Sequence, residues 1–218
     1  QAAASRVALP ESLWLEWLQD ERSLAGESDF DEVDALHRSA CSACPASASV
    51  WLARAAFLRE SRPKDIARVR EVFEEALAVL GLHPWEGPEI WAEYRDFEEQ
   101  SRGEGESEGQ RVMRVRALFF RQLSLPLPGA ERLRDALAAF ERDVAPELKD
   151  EAAVAKAEAV AAVGAALWRE REPMEQKLVA AARPSVSVAV AGAAEESPAQ
   201  VSLELLGAEE LAGDAARI

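Results

Sequence analysis

The segments GPEIWAEYRDFEEQ (Gly87–Gln100), SRGEGESEGQ (Ser101–Gln110) and RVMRVRALFFRQLSL (Arg111–Leu125) run on from one another, and their reading decides the fold. In the first, Trp91, Tyr94, Phe97 and Glu98 fall at i, i+3, i+6 and i+7, one face of a 3.6-residue period. Pro88 sits at the expected first turn, where its missing N–H breaks no bond. The third segment predicts a second helix over Arg111–Leu123, with Val112, Val115, Leu118, Phe119 and Leu123 turned inward. Between them, three glycines and three glutamates predict a flexible acidic loop. Paired antiparallel, the two helices cover only half of their apolar surface. A unit that needs neighbours predicts repetition.

Outward from this stretch the repetition is visible. Trp14 lies in PESLWLEWLQDE, Trp51 in ASVWLARAAFLRE and Trp91 in PEIWAEYRDFEE, at spacings of 37 and then 40 residues. Three residues after each stand Trp17, Arg54 and Tyr94, and seven after, Glu21, Leu58 and Glu98. Second helices lie between: FDEVDALHRSAC, DIARVREVFEEALAVLG and RVMRVRALFFRQL. A period near 40 with two helices per unit predicts an all-α chain, an α-solenoid of helical hairpins.

Unit one is expected to bury Leu13, Trp14, Trp17, Leu18 and Leu24, with Asp29 as N-cap and Glu32 completing a capping box. Unit two turns at Arg62–Asp65, buries Val72, Phe73 and Leu80, and ends at Gly81, read as a left-handed C′ residue. Unit four is degenerate: Ala130–Val144 keeps Leu133, Leu137, Phe140 and Glu141 but has no Trp. Residues 147–182 predict a long helix or a pair, with Pro173 as a kink or break and Trp168 and Met174 at a packed end. The domain reading is therefore 9–183 for about four units, 184–200 for a flexible low-complexity insertion, and 201–218 for the start of a further, truncated repeat.

Composition narrows the function. The 218 residues carry a net charge of −15, which opposes a primary nucleic-acid-binding surface, since phosphate backbones recruit excess Lys and Arg. No run of 18 uncharged apolar residues predicts a membrane span. QAAASRVALPES has no apolar signal-peptide core, and because it does not open on Met, the natural start is expected upstream. Cys41-Ser42-Ala43-Cys44 is a CxxC with His37 one turn before it. A structural zinc needs four ligands, so this cluster is read as buried packing, and no metal or cofactor is expected. His37 and His83 are read as structural. There is no P-loop, no HExxH and no nucleophile triad order, so an enzyme is not expected. Arg111, Arg114, Arg116 and Arg121 make a basic helix. Its plain reading is a face paired with carboxylates such as Glu98 or Glu99. The alternative is a basic contact surface of Arg111, Arg114 and Arg121 for an acidic peptide or RNA.

These motifs resemble the half-a-TPR (HAT) repeat. The matching residues are Trp91, Tyr94, Phe97 and Glu98, then Arg70, Val72, Phe73, Glu74, Glu75, Ala76 and Leu77, and Pro45 or Pro84 ahead of Trp51 or Trp91. Three further matches, LPESLWLEWL (Leu9–Leu18), LFFRQLSLPL (Leu118–Leu127) and GDAARI (Gly213–Ile218), resemble the family of U4/U6 small nuclear RNP recycling factors. The pattern departs at Arg54, at Arg134 and in the Ser/Val-rich insertion. The resemblance implies a nucleoplasmic, non-enzymatic scaffold for snRNP proteins and a deubiquitinase in pre-mRNA splicing. It also implies dimerisation through later repeats, RNA bound by domains outside this chain, and no catalytic residue. On it, Trp14, Trp17, Trp51, Trp91, Tyr94, Phe97, Glu98, Phe73 and Phe119 form the structural repeat motif. Two other readings stand: a HAT scaffold in pre-rRNA processing or mRNA 3′-end cleavage, and direct RNA binding through the Arg111–Arg121 helix.

Overall fold

The computed structural model describes residues 9–182. Residues 184–200 and 201–218, read above as an insertion and a truncated repeat, lie outside the described residues. Among those described, the chain is all-α. Its helices are α1 (Glu11–Leu24), α2 (Phe30–Ala43), α3 (Ala48–Ser61), α4 (Ile66–Leu80), α5 (Gly87–Gln100), α6 (Glu108–Leu123), α7 (Ala130–Asp143) and α8 (Glu151–Ala182). Consecutive helices pack as hairpins. The first helix of each early hairpin also packs on the first helix of the next, α1 on α3 and α3 on α5. None of the described helices is long and apolar enough to cross a membrane.

The local chemistry explains the boundaries. Ser47 caps α3 through Val50 N at 3.2 Å, and Asp65 caps α4 through Arg68 N at 3.2 Å. Each satisfies a backbone donor that the first helical turn leaves open. The segment Ser101–Gln110 is shorter as a loop than its composition suggested. Ser107 and Gln110 form a reciprocal capping box, so α6 starts at Glu108, three residues before the predicted Arg111. Gly105 takes the left-handed turn at φ 75°.

Four local expectations are corrected. Asp29 and Glu32 do not form a capping box; the Asp29 carboxylate instead accepts from Gly26 N at 3.0 Å, behind a short 3-10 turn. Gly81 is not left-handed, with φ −59°, and its carbonyl accepts from the Trp91 indole at 3.0 Å. Leu13, Trp17 and Leu24 are exposed rather than inward. Of the kink or break expected at Pro173, the break does not occur: Pro173 lies inside α8, which continues through it.

The core runs along the stack. Phe73 of α4 stacks on Tyr94 of α5 at 4.8 Å and leans on Phe97 at 5.6 Å. Leu58, Leu80 and Ile90 are fully buried around them. A second cluster joins Val115, Phe119 and Leu123 of α6 to Leu137 of α7 and to Ala157 and Ala161 of α8. On α8, Ala153, Ala157, Ala161 and Gly164 form a buried stripe of small residues that brings the helix close to its neighbours. At Gly164 an added Cβ would lie 2.2 Å from the Leu123 carbonyl oxygen.

Candidate functional site

The motif residues other than Trp17 sit inside the stack, not on its surface. Trp51, Trp91, Tyr94, Phe97, Phe73 and Phe119 are buried, Trp14 is nearly so, and Trp17 stacks on Trp14 at 5.4 Å with much of its ring exposed. At helical spacing such rings serve the core first.

Among the described residues Glu98 is the most buried carboxylate, only 1% exposed. Arg70 of α4 grips it with Nε at 2.6 Å and Nη2 at 3.0 Å, and Arg114 of α6 adds Nε at 2.7 Å. Two guanidiniums, each making charge-assisted bonds, compensate the desolvation of one carboxylate. The next junction repeats the device. Arg116 of α6 holds Glu141 of α7 at 2.6 and 2.9 Å, and Asp150 N adds a bond at 3.3 Å. The junction between α2 and α3 inverts the charges. Asp34 occupies the place of Arg70 and Arg116, and it faces Arg54 at 3.5 Å. Arg54 is 2% exposed and also donates to Glu75 at 2.7 Å. Sequence reading took Arg54 as a departure from the motif, kept Glu141 as a residue of the degenerate fourth unit without naming its partner, and did not single out Asp34. The signal lay in Arg-x-[Val/Leu]-Phe at Arg70 and Arg116, each followed by a Phe-Glu whose glutamate lies 28 and 25 residues on.

The candidate basic contact surface of Arg111, Arg114 and Arg121 is not an open cationic patch. Arg111 binds Glu108 and donates to the Glu99 carbonyl at 2.9 Å. Arg114 holds Glu98 and Glu106. Arg121 crosses to Glu74 of the preceding hairpin with two bonds, at 2.7 and 2.9 Å, and lies over the Trp91 ring at 5.1 Å. The Arg121 hydrogen bonds hold the Glu74 carboxyl below the usual carboxylate range.

His37 and the cysteines make a packed corner. His37 stacks on Phe57 at 4.8 Å, and neither ring nitrogen has a hydrogen-bond partner among the described residues. Burial pushes its pKa down to about 4, with Arg54 and Arg22 reinforcing the effect and Asp34 opposing it. Burial likewise pushes the Cys41 thiol up to about 11. Cys44 is a free thiol. Among the described residues no cluster of three His, Cys, Asp or Glu is placed to hold a metal ion.

Val79, Leu82 and Trp85 are exposed around the α4–α5 connector. Leu82 also lines a groove of about 430 Å³ with Ala78, Trp91, Arg121, Ser124 and Leu125. Its apolar floor and single ion pair suit a peptide segment.

A family model described as the PRP39 N-terminal HAT repeat matches residues 11–139, from α1 through most of α7. The chain belongs to the PRP39-type HAT repeat family. This HAT chain is 36% identical over 132 residues to "Spliceosome associated factor 3, U4/U6 recycling protein" of Mus musculus, covering 58% of the chain and 13% of that relative. The protein of the same description from Homo sapiens is 35% identical over 144 residues, covering 64% and 14%. The matched part is thus a small fraction of each relative.

Proposed function

We propose that this HAT solenoid is a nuclear protein-docking scaffold in pre-mRNA splicing, serving assembly or recycling of the U4/U6 snRNP without catalysis of its own. The observation that carries the reading is the engagement of Arg111, Arg114 and Arg121 by Glu108, Glu98, Glu106 and Glu74. The arginines of α6 are engaged by carboxylates of the fold, and the net charge of −15 suits proteins rather than phosphate backbones as partners. Partners in this reading are snRNP proteins and a deubiquitinase, and RNA contacts belong to other parts of the polypeptide. The similarity to U4/U6 recycling proteins of mouse and human supports the choice of particle.

A pull-down from nuclear extract, with and without RNase, tests this. U4/U6 proteins retained after RNase are the expected result. Loss of all retained protein on RNase treatment, together with direct RNA binding that Arg114→Glu and Arg121→Glu abolish, would turn the reading toward RNA. A second reading, a HAT scaffold in another RNA-processing complex, is favoured by one observation: the matching family model is described for PRP39, not for the U4/U6 proteins. Retention of a different particle's proteins in the same experiment would support it.

A further inference from the structure

The turn between α3 and α4 is locally basic in a chain of net charge −15. In RESRPKD (Arg59–Asp65) both carboxylates are already used: Glu60 is held by Arg22, and Asp65 caps α4 through Arg68 N at 3.2 Å. The cations are not. Arg59 donates to the Gln100 amide oxygen at 3.2 Å and lies over the Phe97 ring at 5.7 Å, and Arg62 lies over the Phe30 ring at 4.4 Å. Neither these two arginines nor Lys64 makes an ion pair among the described residues. The Phe30 ring holds the Arg62 guanidinium by its face, which leaves the fork of N–H donors along its edge.

Arg62 lines a groove of about 360 Å³ together with Arg22, Gly26, Phe30, Phe57 and Glu60. Its walls are the α1–α2 turn, the start of α2 and the end of α3, so both sides come from described hairpins. Phe30 and Phe57 stack at 5.3 Å and give it apolar surface beside the guanidinium. The next junction carries related residues with one difference. Phe97 follows Phe57 by 40 residues, Gln100 follows Glu60 by 40, and Arg102 follows Arg62 by 40. Arg102 finds a carboxylate in its own chain, Glu108. The α5–α6 connection, residues 101–107, is long enough to bring that acid back to it. The α3–α4 turn has only residues 62–65, and its one acid is the α4 cap. The first junction therefore has the aromatic floor and the arginine without the acid.

We propose that this groove docks a short acidic segment of a separate protein, one with a carboxylate beside an aliphatic or aromatic side chain. The carboxylate takes the N–H fork of Arg62, as Glu108 takes Arg102, and the apolar neighbour lies on Phe30 and Phe57. Arg59 and Lys64 add attraction from nearby, and Glu60 does not oppose it, because Arg22 neutralises that carboxylate. A nucleic acid fits less well, since phosphate backbones are held by many cations at once and this turn offers three. The inference goes beyond the proposed function. It concerns a site between α2 and α3 rather than the arginines of α6, and purified components decide it, whereas nuclear extract decides the proposed function.

The test begins with a phage-displayed library of short random peptides selected on the 218-residue chain. Enrichment of sequences that set Asp or Glu beside Leu, Ile or Phe is expected. An enriched peptide, synthesised with a fluorescent label, is then titrated by anisotropy. Arg62→Glu should weaken its binding about tenfold or more, Arg62→Gln should weaken it less, and Arg121→Glu, at another junction, should leave it unchanged. Thermal melts check that the substitutions at the exposed Arg62 leave the fold intact. No enrichment, enriched peptides without acids, or equal binding to Arg62→Glu and the natural chain each overturn the proposal. A labelled single-stranded RNA that displaces the peptide and binds more tightly would assign the groove to nucleic acid. A dimer in sedimentation that Arg62→Glu splits would mean that a second copy fills the groove, and the separate partner falls.

Discussion

Glu98 and Glu74 both pair with arginines, but the two pairs differ in value. Glu98 is enclosed between Arg70 and Arg114, whereas Glu74 and Arg121 are about half exposed. Removing one partner of a buried pair strands the other charges, so Glu98→Ala should cost about 3–5 kcal/mol in urea unfolding. Glu74→Ala should cost about 1 kcal/mol or less, because solvent screens the pair. His37 gives a pH-dependent prediction. Its folded pKa of about 4 lies below the unfolded value near 6.5, so as pH falls from 6.5 the unfolded chain takes up a proton that the folded chain refuses. Stability is therefore full above pH 6.5 and declines toward pH 4, on the order of 3 kcal/mol from this group. Asp34, Arg54 and Arg22 are the charged groups that act on the ring. Phe73 and Phe119 occupy the equivalent place in the next two hairpins, so His37→Phe should flatten the decline in denaturant titrations run at pH 4.5 and 7.

At the scale of the element, α8 shows how a usual rule reverses. Glycine inside a helix is ordinarily worth replacing, since alanine gains about 1 kcal/mol. Gly164 is the exception, because a methyl there would meet the Leu123 carbonyl at 2.2 Å and push α8 off the end of α6. Gly164→Ala should therefore destabilise by about 1–3 kcal/mol, read as a lower Tm, while Ser107→Ala at the α6 cap should cost about 1 kcal/mol. The helices themselves were legible in the sequence because Trp91, Tyr94, Phe97 and Val112, Val115, Leu118, Phe119 repeat with the helical period. Which faces end up covered was not. Trp17 has the same spacing as Tyr94, and only the absence of a described helix before α1 exposes it. Arg54 was hidden because its partners, Asp34 and Glu75, come from two other helices. Gly81 was misread because a helix-ending glycine signals a left-handed turn equally well as a close approach and a free carbonyl. The candidate arginine surface was legible as to residues, but Glu74 reaches Arg121 from α4 and Glu106 reaches Arg114 from the α5–α6 connection, which spacing along one helix does not reveal.

At the scale of the whole molecule, the net charge of −15 makes the folded chain repel itself, while the ion pairs that matter most are buried and weakly screened. Raising NaCl from 0.05 to 0.5 M should therefore raise the Tm, as the Debye length shrinks from about 14 to 4 Å; a falling Tm would mean that exposed pairs dominate. A stack of similar hairpins faces a further difficulty during folding, because each acceptor face resembles the others. The inverted pair Asp34–Arg54 bears on it. If α5 were to land on α2, Glu98 would meet Asp34, and if α3 were to land on α6, Arg54 would meet Arg116. Both wrong neighbours bring like charges together in a buried place, which costs several kcal/mol. The polarity of one salt bridge thus works as an address label: it tells the second hairpin which neighbour is its own, and it keeps the order of the stack the same as the order of synthesis.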